Sequence, residues 1–169
     1  IINLCGENIG AQRWTTKRKQ ILTDSRIKPT HTLMQLCQQT NTQPITIHAN
    51  GIGIYGASEH DQSQPFTEEQ TLNPDSNDFL TTLARSWEDT AYRMATAEQR
   101  VITLRLAVVC DTSGGIIKKL SLPFKLGLGG KIGHGKQPFP WISLTDAVRA
   151  IEYILENDQI RGPVNLIAP

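Results

Sequence analysis

The sequence predicts an α/β fold in which helices cover both faces of a parallel sheet. Short apolar runs typical of buried strands alternate along the chain with segments of helical periodicity. The connections are short, and strand–helix–strand units of this kind are right-handed and build parallel sheets. Ligands of such sheets bind at the carboxyl ends of the strands, so we expect the functional residues there.

The first part of the chain supplies two strands and a long helix. Residues 1–4 are an apolar run that predicts a strand, and residues 15–40 predict a helix that is interrupted near Pro29. Residues 45–49 predict a second strand, which runs into the turn-rich sequence NGIGIYG at 50–56. This turn is one candidate place for a site.

The middle of the chain contains a loop and a second helix. Residues 58–74 are polar, include prolines and lack periodicity, so they predict a loop. Apolar residues at helical spacing predict a helix over 76–97, with Ser76, Asn77 or Asp78 as its N-cap.

The last part of the chain completes the alternation. Residues 101–109 are almost continuously apolar, as expected of a strand buried on both faces, and Arg105 is conspicuous among them. The remaining elements are a short helix after Gly115 that ends near Phe124, a strand at 141–144, a helix at 146–157 capped by Thr145, and a strand at 164–167.

Composition narrows the class of protein. The 169 residues are enough for one domain with a real core, and a net charge of +1 with scattered Lys and Arg argues against nucleic acid or an anionic membrane as the main partner. Because no signal peptide or membrane-spanning run is present, we expect a cytoplasmic protein. Cys5, Cys37 and Cys110 lie far apart in apolar segments and predict buried, reduced thiols, with no metal site.

A basic, glycine-rich segment at 124–144 predicts a ligand site. Its glycines allow close backbone approach, while Lys125, Lys131, His134 and Lys136 supply donors suited to an anionic group. An ordinary flexible surface loop is the alternative interpretation of the same composition.

Several motifs along the chain resemble those of one family. They are NLCGENI at 3–9, RW at 13–14, SR at 25–26, GIGIYG at 51–56, SWE at 86–88, LRLAVV at 104–109 and PFKLGLGGKIGHGKQPFPWISLTD at 123–146. With these motifs the chain resembles, over its whole length, the epimerase-family branch of the atypical extended short-chain dehydrogenases/reductases. The resemblance implies a Rossmann-type doubly wound parallel sheet that binds NAD(P), with NADP slightly preferred. It also implies an epimerase or reductase that acts on a nucleotide sugar or another small, anionic carbonyl compound.

The resemblance further implies that parts of the family fold lie outside this sequence. The chain starts and stops close to apolar runs, without an initiator Met, and we expect it to be an internal fragment. The first strands of the family fold, with their glycine-rich pyrophosphate turn, would precede it, and the C-terminal region would follow. Residues 1–169 are then a partial NAD(P)-binding domain, with 123–144 as a loop and strand insertion near the substrate region. A homodimer paired through the helices at 15–40 and 76–97 is expected by analogy.

Cofactor contacts follow from the resemblance by position. It places Leu4, Cys5 and Gly6 under the cofactor, Arg26 facing it, and Val109 beside the nicotinamide. Backbone groups at a strand end can bond ribose and carboxamide, and arginine offers a forked donor to phosphate. Core packing of Leu4 and Val109, and a surface salt bridge at Arg26, are the alternatives.

The usual catalytic set of these dehydrogenases is absent. The set is a Tyr, a Lys four residues later, and a Ser or Thr. The expected Tyr and Lys positions hold Phe79 and Leu83 in one alignment and Leu80 and Ala84 in the other, and Asn50 stands at the Ser position. None of these side chains can replace the set.

Asn50 and Tyr55 are nevertheless the catalytic candidates nearest the predicted sheet edge. A tyrosine beside a nicotinamide can act as an acid if its pKa is lowered, and the asparagine amide can donate a hydrogen bond. Packing of Tyr55, with its hydroxyl bonded at the sheet edge, is the alternative. A non-catalytic NAD(P)-binding or interaction protein, with a division-related role as one version, is the second functional hypothesis.

Overall fold

The structure, a computed structural model, describes residues 1–40, 42–56, 65–72, 78–131, 133–135 and 137–169. Along the chain its elements are β1 (Ile2–Asn3), α1 (Thr16–Gln39), β2 (Thr46–Gly51), a 3₁₀ helix (Ile52–Tyr55), α2 (Phe79–Arg93), β3 (Val101–Leu106), β4 (Val108–Cys110), α3 (Gly115–Lys125), β5 (Trp141–Ser143), α4 (Leu144–Glu156) and β6 (Gly162–Leu166). The predicted α/β class with a parallel sheet is confirmed.

The chain divides into two compact units. The first consists of Ile1–Arg105 and Ile160–Asn165, and the second of Leu106–Gln159 and Leu166–Pro169. The larger sheet has the strand order β1-β2-β3-β6, and β1 pairs with β2 in parallel. Nearly every residue of β2 and β3 is buried, as expected of strands covered on both faces.

Helix α1 is continuous, so the predicted interruption near Pro29 was wrong. Thr15 caps the helix by accepting a hydrogen bond from the Arg18 backbone N–H at 3.2 Å. A proline inside a helix removes one backbone hydrogen bond and costs about 3 kcal/mol. Here the next residue, Thr30, and Met34 one turn later are both fully buried. The packing of this face therefore keeps the helix continuous through the proline.

The strand predicted at 101–109 is two strands, β3 and β4, separated by Ala107. The Ala107 N–H donates to the Leu166 carbonyl at 3.0 Å, whereas the Val108 N–H donates to the Pro140 carbonyl at 3.1 Å. Adjacent residues thus pair with different segments, and β4 forms a separate parallel pair with β5. A continuous apolar run does not reveal such a change of partner.

The helix caps agree with the prediction at one helix and differ at the other. Asp78 caps α2, its carboxylate accepting from the Thr81 N–H at 3.0 Å, while the alternatives Ser76 and Asn77 lie outside the described residues.

Helix α4 begins earlier than predicted. Ser143, not Thr145, is its N-cap, and the Ser143 hydroxyl accepts from the Asp146 N–H at 3.0 Å. Both residue types cap well, so only the backbone conformation decides which one is used. Strands β5 and β6 agree with their predicted positions to within two residues.

The cysteines differ from the prediction of buried thiols. Cys37 is buried and Cys110 is partly buried, but Cys5 is exposed. Cys5 follows β1 in an irregular turn, where an apolar neighbourhood in the sequence does not imply burial.

None of the helices in the described ranges is long and apolar enough to cross a bilayer.

Candidate functional site

The turn that follows β1 is exposed on one side and fixed on the other. We call residues 4–8 the β1 turn, and all five of them are exposed. The Cys5 N–H donates to Asn3 Oδ1 at 3.1 Å, and the Glu7 N–H donates to Ser25 Oγ at 3.0 Å. Side chains from the first unit therefore hold the inner side of this backbone while its outer side faces solvent.

The three residues predicted to lie under the cofactor are all in the β1 turn. Leu4 is 59% exposed, and Cys5 and Gly6 are also exposed. Leu4 is thus not packed in the core of the first unit. Main-chain groups at an exposed strand end can form hydrogen bonds with a ligand without the help of particular side chains.

Arg26, the predicted phosphate ligand, contacts the β1 turn from helix α1. Its Nη2 donates to the Glu7 carbonyl at 3.1 Å, and its Nη1 donates to the Leu22 carbonyl at 3.0 Å and to Ser25 Oγ at 3.4 Å. Arg26 forms none of the salt bridges found among the described residues.

The guanidinium of Arg26 also lies against Gly6 and an aromatic ring. A Cβ atom on Gly6 would be 3.1 Å from Arg26 Cζ, and Cζ is 5.2 Å from the centre of the Trp87 ring. Partial burial, and then the positive charge of Arg18, lower the pKa of Arg26 below its ordinary value. Arg26 still carries its charge at physiological pH.

A buried polar cluster supports the β1 turn from below. Thr30 Oγ1 accepts from Asn3 Nδ2 at 3.1 Å and from Trp87 Nε1 at 3.0 Å, and Asn3 Nδ2 also lies 3.3 Å from His48 Nδ1. These bonds connect the turn to α1, α2 and β2. Burial lowers the pKa of His48 to about 4, so His48 is neutral near pH 7.

Asn50 lies at the end of β2 and is buried. Its Nδ2 donates to the Ala84 carbonyl at 3.1 Å and to Glu88 Oε2 at 3.2 Å, and its Oδ1 accepts from the Gly51 N–H at 2.8 Å. The polar atoms of this side chain therefore all have partners within the protein. Its predicted catalytic role stays a prediction.

Tyr55 lies one turn further along and is also buried. Its hydroxyl accepts a hydrogen bond from Arg105 Nη1 at 2.7 Å. The same hydroxyl can donate a hydrogen bond to Asn165 Oδ1 at 2.8 Å or to the Thr67 carbonyl at 3.1 Å. The ring stacks on Phe66 with 4.9 Å between the ring centres. The hydroxyl is engaged in this geometry, and its catalytic role is likewise still a prediction.

Arg105 and Glu88 form a buried ion pair that organises this region. Arg105 Nη2 lies 2.7 Å from Glu88 Oε1, Arg105 Nε donates to Oε2 at 3.1 Å, and Thr103 Oγ1 donates to Oε2 at 2.9 Å. Burial opposes the charged form of Arg105, but the hydrogen bond and charge of Glu88 outweigh it and raise the pKa of Arg105. We call Asn50, Tyr55, Glu88, Thr103, Arg105 and Asn165 the Arg105 network.

Arg105 is conspicuous in the sequence, whereas Glu88 was not predicted to be part of a site. The signal for Glu88 was present, because it follows Ala84 by four residues on the predicted buried face of α2. A charged residue on that face and an arginine in a buried strand require each other, since an unpaired buried charge is very costly. The roles of Ser25 and Thr30 gave no comparable signal.

The second unit holds the remaining predicted site residues. Val109 pairs with Ile142 in the β4–β5 ladder and is partly buried. Lys125, Lys131 and His134 are exposed, and Lys136 lies outside the described residues. Within the described ranges, no group of three or more His, Cys, Asp or Glu side chains could hold a metal ion.

Comparisons with known proteins agree with this architecture. The model of the NAD dependent epimerase/dehydratase family matches residues 1–166. An epimerase family protein of Staphylococcus haemolyticus, SH2119, is 34% identical over 170 residues, which cover 100% of this chain and 55% of that protein. The chain therefore spans about half the length of such relatives.

Two solved structures are similar in both sequence and fold. The human epimerase family protein SDR39U1 (isoform 2), crystallised with NADPH, is 31% identical with a TM-score of 0.82, over 99% of this chain and 56% of that one. A nucleoside-diphosphate sugar epimerase from Corynebacterium glutamicum is 30% identical with a TM-score of 0.77, over 94% of this chain and 33% of that one.

Proposed function

Because this chain belongs to the NAD dependent epimerase/dehydratase family, we propose that the complete protein binds NAD(P) and acts as an epimerase or reductase on a nucleotide sugar or another small carbonyl compound. The observation that carries the proposal is the β1 turn, whose backbone is exposed outward and fixed from within. The human relative crystallised with NADPH and the nucleoside-diphosphate sugar epimerase support the cofactor and the substrate class.

The cofactor would lie along the β1 turn. Backbone groups of Leu4, Cys5 and Gly6 would form hydrogen bonds with it, and Val109 would line the nicotinamide. The bound cofactor would supply the hydride transfer, while these residues bind and orient it. A slight preference for NADP is part of the proposal, and the NADPH in the human relative favours it.

The basic glycine segment of the second unit would bind the anionic part of the substrate. Lys125, Lys131 and His134 are exposed there, and Gly127 and Gly133 adopt positive φ values of 71° and 59°. These turns suit glycine and bring backbone N–H groups close to a ligand. A diphosphate of a nucleotide sugar has the charge that such donors bind.

Tyr55 as acid and Asn50 as hydrogen-bond donor complete the enzymatic proposal. For these roles each must exchange a partner inside the Arg105 network for the substrate. A cytoplasmic location and a homodimer paired through α1 and α2 are further parts of the proposal, and both rest on analogy with the family.

A non-catalytic NAD(P)-binding or interaction protein is the second candidate, with a division-related role as one version. Two observations favour it. The positions expected for the catalytic Tyr and Lys hold Phe79 and Leu83, or Leu80 and Ala84. In addition, the polar atoms of Asn50 all have partners within the protein.

Titration of the complete protein with NADPH and NADH, followed by cofactor fluorescence, tests the proposal. We expect saturable binding of at least one nucleotide. Incubation with nucleotide sugars and bound cofactor then separates the two candidates, because the enzyme converts a sugar or changes cofactor absorbance and the binding protein does neither. Absence of saturable binding of either nucleotide would contradict the enzyme and the NAD(P)-binding version of the second candidate, and would favour an interaction protein.

A further inference from the structure

Glu7 is held by two consecutive residues of helix α1. Its N–H donates to Ser25 Oγ at 3.0 Å, and its carbonyl accepts from Arg26 Nη2 at 3.1 Å. Ser25 Oγ in turn donates to the Leu22 carbonyl at 3.0 Å, which also accepts from Arg26 Nη1 at 3.0 Å. Both main-chain groups of one turn residue are therefore tied to one short stretch of helix.

Gly6 is in close contact with the same arginine. A Cβ atom on Gly6 would lie 3.1 Å from Cζ, 3.2 Å from Nη2 and 3.3 Å from Nε of Arg26. The backbone of Gly6 is not in the left-handed region, so glycine is needed here for space and not for conformation. The guanidinium therefore lies directly against the Gly6 backbone.

The other end of the β1 turn is fixed independently. The Cys5 N–H donates to Asn3 Oδ1, and Asn3 is held by Thr30, which also accepts from Trp87. The residues on both sides of Gly6 are thus tied down, while their outer faces remain exposed. This is the arrangement expected of a backbone surface that is shaped in advance for a ligand.

We propose that Arg26 is a positioning residue: its guanidinium, packed against Gly6 and bonded to Glu7, sets the path of the β1 turn that receives the dinucleotide. The proposal rests on NAD(P) binding by the complete protein and replaces a direct contact between Arg26 and the cofactor phosphate. An arginine fork can hold two carbonyls at a fixed spacing, and the single ammonium of lysine cannot.

A mutant cycle in the complete protein tests this role. The variants are Arg26→Ala, Arg26→Lys, Gly6→Ala and the double variant Gly6→Ala with Arg26→Ala. Arg93→Ala is the matched control, since the Arg93 side chain is 80% exposed on α2. Affinities for NADPH and NADH are measured by fluorescence. Amide hydrogen exchange of a peptide that covers the β1 turn is measured without nucleotide.

We expect Gly6→Ala and Arg26→Ala each to weaken nucleotide binding about tenfold, which corresponds to one lost hydrogen bond or a comparable shift of the backbone. The double variant should bind about as well as either single variant, because removal of the guanidinium leaves room for the new Cβ atom. Arg26→Lys should bind as poorly as Arg26→Ala, with faster exchange in the β1 turn. The control should match the wild type.

Two results would overturn the proposal. One is a double variant whose losses multiply to about a hundredfold. The other is near wild-type binding by Arg26→Lys with unchanged exchange, which would make Arg26 a direct charge contact. If the wild type binds neither nucleotide, the proposed function fails and the dinucleotide role of Arg26 fails with it. The hydrogen-exchange data then show separately whether Arg26 fixes the β1 turn. If Arg26→Ala does not fold, Arg26→Lys replaces it in both measurements.

Discussion

The residues at the end of β1 are exposed to solvent, whereas Asn50 and Tyr55 at the end of β2 are buried. At the end of β1, residues 4–8 are exposed and the side chains that bind them lie beneath. At the end of β2, Asn50 and Tyr55 are only 4% and 8% exposed, and their polar atoms are engaged inside the Arg105 network. A position at the carboxyl end of a strand therefore identifies a candidate site. Whether a ligand can bind there depends on which polar groups are exposed to solvent.

The largest expected effect concerns the Arg105–Glu88 ion pair at the end of β2. Arg105→Met should destabilise the protein by about 3–5 kcal/mol, because it leaves the Glu88 carboxylate buried without its partner. Denaturation by urea measures this loss. Arg93→Met, which removes an exposed pair with Asp89, should cost less than about 1 kcal/mol.

A double variant sharpens the same test. Arg105→Met combined with Glu88→Met should be more stable than Arg105→Met alone, because no charge is then left unpaired in the core. Equal losses in the Arg105 and Arg93 single variants would show that the β2 end is not held by its ion pair.

The contribution of His48, which lies beneath the β1 turn, to the free energy of unfolding should depend on pH. The pKa of His48 is lowered to about 4 in the folded protein, from an ordinary value of 6.5. As the pH falls, His48 therefore becomes protonated in the unfolded chain before it does in the folded protein. The stabilisation that neutral, buried His48 provides is complete above pH 6.5 and is lost as the pH falls toward 4. The expected loss is about 3 kcal/mol across that window.

The His48→Gln variant isolates this contribution. Its stability should change less with pH between 6.5 and 4 than that of the wild type, as measured by denaturation at a series of pH values. Parallel pH profiles of the two proteins would show that His48 does not titrate in this way.

Asn50→Ala separates structural from ligand contacts at the closed end. We expect a loss of stability of about 1–2 kcal/mol, since Glu88 and the Ala84 carbonyl each lose a donor. NADPH affinity should stay within about twofold of the wild type. If affinity instead falls about tenfold, corresponding to roughly 1.4 kcal/mol, Asn50 contacts the ligand.

The smallest expected effect lies in the exposed segment of the second unit. Replacing Lys131 and Lys136 by alanine should weaken binding of an anionic ligand such as UDP several-fold without changing the fold, because Lys131 is exposed and a surface charge contributes about 0–1 kcal/mol. Calorimetry at low salt measures it. Lys118→Ala on α3 is the control, and equal affinities in all three proteins would remove the phosphate contact from the proposal.

The sequence predicted the alternation of strands and helices, because periodicity is a local signal. It did not predict that Cys5 is exposed, since exposure depends on packing rather than on apolar neighbours in the sequence. The split at Ala107 was missed because a change of hydrogen-bond partner leaves no trace in an apolar run. The continuity of α1 through Pro29 depends on packing, which outweighs the local preference.

The site was less predictable than the fold because its contacts join distant residues. Asn165 lies 110 residues after Tyr55, and Glu88 lies 38 residues after Asn50. Whether a polar side chain is open or engaged depends on such partners. Sequence alone therefore placed the β1 turn and Asn50 in the same class, although they differ in exposure.

Hydrogen exchange of the complete protein with and without NADPH tests the contrast between the two strand ends most directly. We predict that NADPH slows exchange in a peptide that covers residues 4–8 and leaves residues 50–56 unchanged. Slower exchange at 50–56 with no change at 4–8 would contradict the account, because the nucleotide would then bind at the end that the structure closes.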